Sequence, residues 1–156
     1  MTEKLDGGNC CLCAGKVFAR THKHEATHDS FSPVKALYAR VIAEMTETEV
    51  EELSLFGENM TGVHSIDYPG LTSCFYLFGA FRKPQQGAGH WLSWDAVARL
   101  ARRLCIPHVA VVYRGVFESA GAIHQLMLKH AQLPSSVSSQ QVRMRSPLSS
   151  IFVPFF

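Results

Sequence analysis

Glu3-Lys4-Leu5-Asp6-Gly7-Gly8-Asn9 is the stretch on which the fold prediction depends, and a strand-like run from Cys10 to Arg20 follows it. The paired glycines permit the positive φ that a two-residue hairpin turn needs, and the flanking aspartate and asparagine suit its ends. A lysine held beside such a turn can act as a nucleophile if its surroundings leave the amine neutral. The alternative for these residues alone is an exposed hairpin with a solvated lysine.

A wider pattern surrounds this stretch. Lys-x-Asp-Gly-x-Asn resembles the nucleophile motif of the covalent nucleotidyltransferases, the superfamily of ATP-dependent ligases and mRNA capping enzymes. Later segments that are similar to the RNA ligase branch, in the same order, are Phe56–Met60, His64–Tyr68, Phe75–Phe78, Trp91–Asp95 and Val112–Phe117. The chain therefore resembles the ATP-dependent RNA ligase family over about residues 2 to 137. The resemblance implies an α+β fold, an antiparallel nucleotidyltransferase core with helices packed against it.

The same resemblance implies a reaction and its participants. In this family the motif lysine attacks the α-phosphorus of ATP, with magnesium as cofactor, and forms lysyl-AMP. The AMP then passes to a 5′-phosphate RNA end, and a 3′-hydroxyl displaces it to join the strands. Lys4 is the expected nucleophile, ATP and Mg²⁺ the expected cofactors and RNA the expected partner.

Other positions match nucleotide-binding residues of the family. The resemblance places Glu3 at the adenine edge, and Asn9 near the phosphates or the RNA ends. Arg20 matches an arginine that contacts ribose and phosphate, a role that suits a guanidinium fork. Asp6 and Gly7 are expected in the vicinity of the phosphates.

Two further positions are expected to hold the ribose and the base. Glu58 matches a glutamate that accepts hydrogen bonds from ribose hydroxyls, and a carboxylate in an apolar strand is costly to bury for packing alone. Phe78 matches the aromatic residue that stacks on adenine, with Phe75 or Phe81 as alternatives if the strand register differs.

Departures from the family pattern predict an incomplete domain. A strand normally precedes the lysine, and later strands normally supply a metal-binding glutamate and phosphate-binding lysines. We expect a partial RNA ligase domain at 1–134, then a Ser-rich linker and divergent tail at 135–156. Sealing should be poor, because phosphoryl transfer depends on such charges. The alternatives are a non-catalytic nucleotide-binding remnant, or another nucleotidyltransferase of the DNA ligase or capping type.

Composition adds few constraints. The net charge of +2 neither requires nor excludes a nucleic-acid partner, and 47% hydrophobic residues can bury a core in a chain of 156. No leader or membrane-spanning run is visible, so a soluble intracellular protein of unknown oligomeric state is expected. Strand alternation separates Cys10 from Cys11 and Cys13, which favours reduced thiols over a zinc site.

The histidine-rich segment matches a zinc-protease pattern but lacks its context. His24-Glu25-Ala26-Thr27-His28 satisfies His-Glu-x-x-His, yet polar residues and Pro33 follow, so a loop is predicted and no metal site is assigned. A zinc protein built on His22, His24 and His28 is a remote alternative.

Apolar periodicity predicts the remaining elements. The predicted helices and strands are a helix capped by Ser32 and running to about Met45, a loop or short helix over Thr46–Glu52, strands at Leu53–Met60 and Phe75–Phe81, a helix capped by Ser93, a strand at His108–Tyr113, and a helix from Ser119 to about His130. The apolar end at Ile151–Phe156 is too short to be an element with a clear role.

Overall fold

Residues 1–21, 24–62, 65–137 and 151–152 are described by a computed structural model. The chain divides into two compact units. The sheet unit comprises Gly7–Gly62 and Thr72–His108, and the lysine unit comprises Met1–Asp6, Val63–Leu71 and Val109–Phe156.

The helices and strands of the described residues follow one another in a mixed order. In chain order they are β1 (Thr2–Glu3), β2 (Gly8–Cys13), β3 (Lys16–Ala19), a 3₁₀ turn (Asp29–Phe31), α1 (Ser32–Ala43), α2 (Glu47–Glu52), β4 (Leu53–Asn59), β5 (Phe75–Arg82), β6 (His90–Trp91), α3 (Trp94–Arg103), α4 (Ala120–Ala131) and β7 (Ile151–Phe152).

The sheet unit is built on a five-stranded antiparallel sheet in the order β3-β2-β4-β5-β6. With four α-helices in the described residues, this confirms the predicted α+β class. Helices α1, α2 and α3 belong to this unit, and the strands predicted at Leu53–Met60 and Phe75–Phe81 match β4 and β5 closely.

One face of this sheet carries the core. Leu12, Leu55 and Leu77 are fully buried there, and their neighbours in sequence face the other side because side chains alternate along a strand. Helix α1 contributes Val34, Leu37, Tyr38 and Val41 to the same cluster, and α3 contributes Val97, Leu100 and Ala101. The buried apolar residues of both helices are therefore part of the core.

Side-chain caps begin three of the helices. The Ser93 and Ser119 hydroxyls accept hydrogen bonds from Ala96 N (3.4 Å) and Ala122 N (3.2 Å), which confirms both predicted caps. Helix α2 begins with a reciprocal capping box between Thr46 and Glu49. For α1 the predicted cap was wrong: Ser32 is already helical, because the 3₁₀ turn leads directly into the helix.

The first hairpin of the sheet lies elsewhere than predicted. Strands β2 and β3 pair across Ala14 and Gly15, whose φ values of 47° and 74° are those of a tight hairpin turn. Gly7 and Gly8 are not among the residues with positive φ, and β1 pairs with β7 rather than β2. A glycine is required at Gly7 because neighbouring atoms leave no room for a side chain: a β-carbon there would lie 2.6 Å from Met60 Sδ and 2.7 Å from Asn59 O.

One further prediction from the sequence was wrong. The segment His108–Tyr113 forms no strand; it makes isolated bridges only, His108 with Leu77 and Val111 with Thr2. Within Ile151–Phe156, β7 is a two-residue strand that pairs antiparallel with β1. Both segments pair over too few residues to give a periodic signal.

The histidine-rich segment is a loop, as predicted. His28 Nδ1 accepts a hydrogen bond from Ser30 N at 3.2 Å and thereby caps the 3₁₀ turn, while His22 lies outside the described residues. Among the described residues no group of three His, Cys, Asp or Glu side chains could hold a metal ion, and no helix has the length and apolarity to cross a membrane.

Candidate functional site

Lys4 follows β1 in the lysine unit, and the backbone of that strand is held by distant segments. Glu3 N donates to Ala110 O at 2.9 Å, Thr2 bridges to Val111, and both β1 residues pair with β7. These contacts fix the backbone immediately before the lysine, so that the direction of its side chain is limited to a few rotamers.

The lysine lines a cavity of about 300 Å³ within the same unit. This volume lies at the lower end of the range for small-molecule sites. The walls are mostly apolar, from Ala110–Val112 and from the end of α4, and the polar side chains among the lining residues are Glu3, Lys4, Tyr68, His130, Ser135 and Ser136. A mostly apolar wall with few polar groups is typical of small-molecule sites in general.

The carboxylate of Glu3 is oriented by the segment that follows α4. Glu3 Oε2 accepts hydrogen bonds from Ser136 N at 3.2 Å and from Ser136 Oγ at 2.5 Å. Hydrogen bonds to a charged acceptor are stronger than neutral ones, so the two together hold this carboxylate at the wall of the cavity.

Asp6 connects the motif to residues 65–68. Asp6 N donates to the Tyr68 hydroxyl at 2.9 Å, and Asp6 Oδ2 accepts from Ser65 N at 2.9 Å and from Ser65 Oγ at 2.6 Å. Asp6 therefore acts in this structure as a connector that fixes the chain after Lys4, and Tyr68 links that connection to the cavity.

Asn9 and Glu58 lie in the sheet unit as direct partners on neighbouring strands. They are paired in the register of β2 with β4, and Glu58 is also opposite Tyr76 of β5. Glu58 is only 6% exposed, on the face of the sheet opposite the apolar core. The chain thus places a buried carboxylate and an amide side by side on one sheet face.

Gly57 makes this arrangement possible. A β-carbon at Gly57 would clash with the Phe75 ring and lie 2.6 Å from Tyr76 O, so no larger residue fits before Glu58. The ring of Phe75 is fully buried in the core, which removes it as an alternative to Phe78 for stacking on a base.

Phe78 is the extra residue of a β-bulge. The register passes from Phe56↔Gly79 to Gly57↔Leu77, so Phe78 falls between the two pairs. Bulges redirect side chains and occur often beside active sites. Phe81, the other alternative, contacts Trp91 with ring centroids 5.4 Å apart in an edge arrangement.

Arg20 is exposed in the turn after β3. The structure therefore groups Glu3, Lys4 and Asp6 in the lysine unit, and Gly7, Asn9, Arg20, Glu58 and Phe78 in the sheet unit. Their roles toward a nucleotide stay predictions.

Comparison with known proteins identifies the family. A sequence model of the family described as RNA ligase matches residues 1–144, which is most of the chain. The chain belongs to the RNA ligase family. No curated protein matches it.

Membership in the RNA ligase family indicates a ligase whose substrate is RNA. It favours this activity over the DNA ligase and capping alternatives. Ligase chemistry implies Mg²⁺, which commonly keeps several waters and binds largely through substrate phosphates, so it does not require three protein ligands. The part of the chain that the structure describes contains no group of three His, Cys, Asp or Glu side chains that could hold a metal ion.

Sequence reasoning missed four polar residues of the cavity in this RNA ligase domain: Tyr68, His130, Ser135 and Ser136. Tyr68 lies in a family-like segment, but nothing in the sequence connects its hydroxyl to Asp6. His130 and Ser136 are more than 120 positions from Lys4 in sequence, and only the fold brings them to it.

Proposed function

We propose that this chain is an ATP-dependent RNA ligase in which Lys4 forms lysyl-AMP. The observation that supports the proposal is the position of Lys4 in a cavity of about 300 Å³, in a chain of the RNA ligase family. Lys4 Nζ attacks the α-phosphorus of ATP, a P–N bond forms, and the bond to pyrophosphate breaks. The AMP is then transferred to a 5′-phosphate RNA end, and a 3′-hydroxyl attacks that 5′-phosphate, forms the phosphodiester bond and displaces AMP.

The neighbours of Lys4 have distinct roles in this proposal. Glu3, oriented by Ser136, accepts a hydrogen bond at the adenine edge. Asp6 and Gly7 position the backbone beside the phosphates. Asp6 does so through its hydrogen bonds with Ser65 and Tyr68, and Gly7 does so because it has no side chain. Asn9 lies near the phosphates or the RNA ends, and Arg20 contacts ribose and phosphate. Magnesium, when bound with the nucleotide, neutralises phosphate charge.

Glu58 and Phe78 bind the ribose and the base in this proposal. The buried carboxylate of Glu58 suits two hydroxyl donors, because charge-assisted hydrogen bonds are strong where water is excluded. The bulge takes Phe78 out of the regular alternation of the strand, and bulges often redirect side chains beside active sites.

The test of the nucleophile is covalent labelling with ATP carrying a labelled α-phosphate. We expect an acid-labile label on the wild type, and none on Lys4→Ala or Lys4→Arg. Arginine keeps the positive charge but cannot be deprotonated, so it separates binding from chemistry. Lys16→Ala, which removes an exposed lysine of β3, is the matched control and should retain the label. Label that persists in Lys4→Arg would remove Lys4 from this role.

The binding residues are tested by calorimetry with ATP. Loss of hydrogen bonds to a charged acceptor costs about 1.5–3 kcal/mol, so Glu58→Ala should weaken binding roughly 10- to 150-fold. Glu47→Ala removes an exposed carboxylate from the same unit and should leave the affinity unchanged. Unchanged affinity in both Glu58→Ala and Phe78→Ala, with wild-type binding detectable, would refute the assignment.

A further inference from the structure

Three aromatic side chains form a cluster on the face of the sheet that is opposite the core. Leu55 of β4 and Ala80 of β5 are fully buried in the core. Their neighbours Phe56 and Phe81 therefore point to the other face, and Trp91 of β6 shares that face as the register partner of Phe81. The Trp91 ring contacts Phe56 with centroids 5.0 Å apart and Phe81 with centroids 5.4 Å apart. We call Phe56, Phe81 and Trp91 the Trp91 cluster.

Two glycines leave room for the rings of this cluster. The Trp91 ring lies over Gly79, where a β-carbon would be 3.3 Å from Trp91 Cζ3, and a β-carbon at Gly89 would lie 2.5 Å from the Phe81 ring. Although its neighbours hold the ring in place, 49% of Trp91 is exposed. A large ring that is already held in position loses little freedom when an aromatic ligand stacks on it, so the cluster is preorganised for such a ligand.

The charge along the same row of the sheet fits a ligand that carries phosphates as well as rings. The register connects Trp91 to Phe81, Phe81 to Ser54, Ser54 to Cys13, and Cys13 to Lys16. This row contains an exposed lysine and no carboxylate. Its ends are four strand spacings apart, about 19 Å. Sites for single-stranded nucleic acid combine positive charge for the backbone with aromatic rings on which bases stack.

The Trp91 cluster is also continuous with the residue that we assign to the ribose. Phe56 and Glu58 are two residues apart on β4, so they share a face and their α-carbons are about 6.6–6.8 Å apart. The family of the chain has RNA as its substrate. An RNA end that approaches a nucleotide at Glu58 along this face would therefore bring its bases over the cluster.

We propose that the Trp91 cluster stacks on an unpaired base of the RNA substrate. This inference extends the proposed function and rests on its RNA partner, but not on the formation of lysyl-AMP at Lys4. Every base has a π-face, so stacking on an aromatic ring tolerates any sequence. The cluster thus holds an RNA strand near the nucleotide without selecting which base it carries.

The first test removes the ring and measures RNA binding without ATP. The probe is a single-stranded RNA of twelve nucleotides with a 5′-phosphate and a 3′ fluorophore, followed by anisotropy. Trp91→Ala should raise Kd about 5- to 150-fold, the effect of losing one stacked base, and Trp91→Phe, which keeps a ring, should restore most of the affinity. Trp94→Phe is the matched control, because this second tryptophan packs against the core, and it should leave Kd unchanged.

A second test keeps the ring and reads its contact with a base directly. In Trp94→Phe the only tryptophan is Trp91, so its fluorescence reports on the cluster alone. The RNA should quench this emission to saturation. An abasic oligomer of the same length has the phosphates without the bases and should not quench it, and ATP without RNA should not quench it either.

The outcomes separate this proposal from the proposed function. A Kd that is unchanged in Trp91→Ala, or equal quenching by RNA and by the abasic oligomer, would overturn the stacking site. Quenching by ATP alone would assign the ring to the cofactor and would overturn it as well. A chain that binds RNA through Trp91 but takes no label from ATP would refute the lysyl-AMP proposal alone.

Discussion

The sheet unit and the lysine unit bury very different amounts of apolar surface. Of the largest fully buried side chains among the described residues, only Leu5 and Val109 belong to the lysine unit. Its helix α4 has no buried residue, and most of the exposed large hydrophobic side chains, including Leu128 and Leu133, lie in this unit. Local stability follows buried apolar contact, so the sheet unit should resist opening and the lysine unit should open readily. Lys4, the proposed nucleophile, thus belongs to the less stable of the two units.

The sharpest test of this difference truncates one leucine in each unit. Leu55→Ala removes a fully buried side chain from the sheet core and should lower the free energy of unfolding by about 2–5 kcal/mol. Leu128→Ala removes a side chain that is 38% exposed and should change it by less than about 0.5 kcal/mol. Urea unfolding followed by tryptophan fluorescence suits the first variant, because Trp91 and Trp94 both lie in the sheet unit. Equal losses would remove the distinction between the units.

A glycine pair tests the same difference by adding a methyl group. At Gly57 the new β-carbon would clash with the Phe75 ring, so Gly57→Ala should cost about 1–3 kcal/mol. At Gly121 in α4 the nearest atom is Ser119 Oγ at 3.6 Å, and Gly121→Ala should stabilise the helix by about 0.4–1 kcal/mol. Circular dichroism during thermal unfolding measures both. A neutral Gly57→Ala would mean that the sheet core is loosely packed.

Alkaline pH should weaken the sheet unit through Cys10. Burial, and then the nearby charge of Glu58, raises the pKa of Cys10 from 9.0 to about 12. The unfolded chain therefore loses this proton first, and stability present below pH 9 is lost as the pH rises toward 12. The loss should reach about 1.4 kcal/mol at pH 10. Cys10→Ala should make the decline between pH 8 and 10 shallower, whereas Cys105→Ala, at an exposed site, should leave it as in the wild type.

Helices and long strands were predictable from the sequence because their signals are local. Ser93 and Ser119 stand directly before apolar periodic runs, and β4 and β5 carry dense apolar residues. The first hairpin turn was predicted at the wrong position because Ala14 adopts a positive φ although it is not a glycine. Gly7 does not have a positive φ, and a glycine is required there because neighbouring atoms leave no room for a side chain. The family motif drew attention to Lys4, but local patterns contain nothing about the Ser136 hydrogen bonds to Glu3, which join residues 133 positions apart.

The pairing of β1 has a consequence for synthesis of the chain. Thr2 bridges to Val111 and Glu3 N donates to Ala110 O, so the backbone before Lys4 finds its partners only after roughly a hundred more residues have been made. At about 5–20 residues per second the ribosome needs roughly 5–20 s for this. The lysine therefore takes its place late: the sheet unit is complete once His108 has been made, whereas β1 finds its partner strand β7 only when Ile151–Phe152 follows.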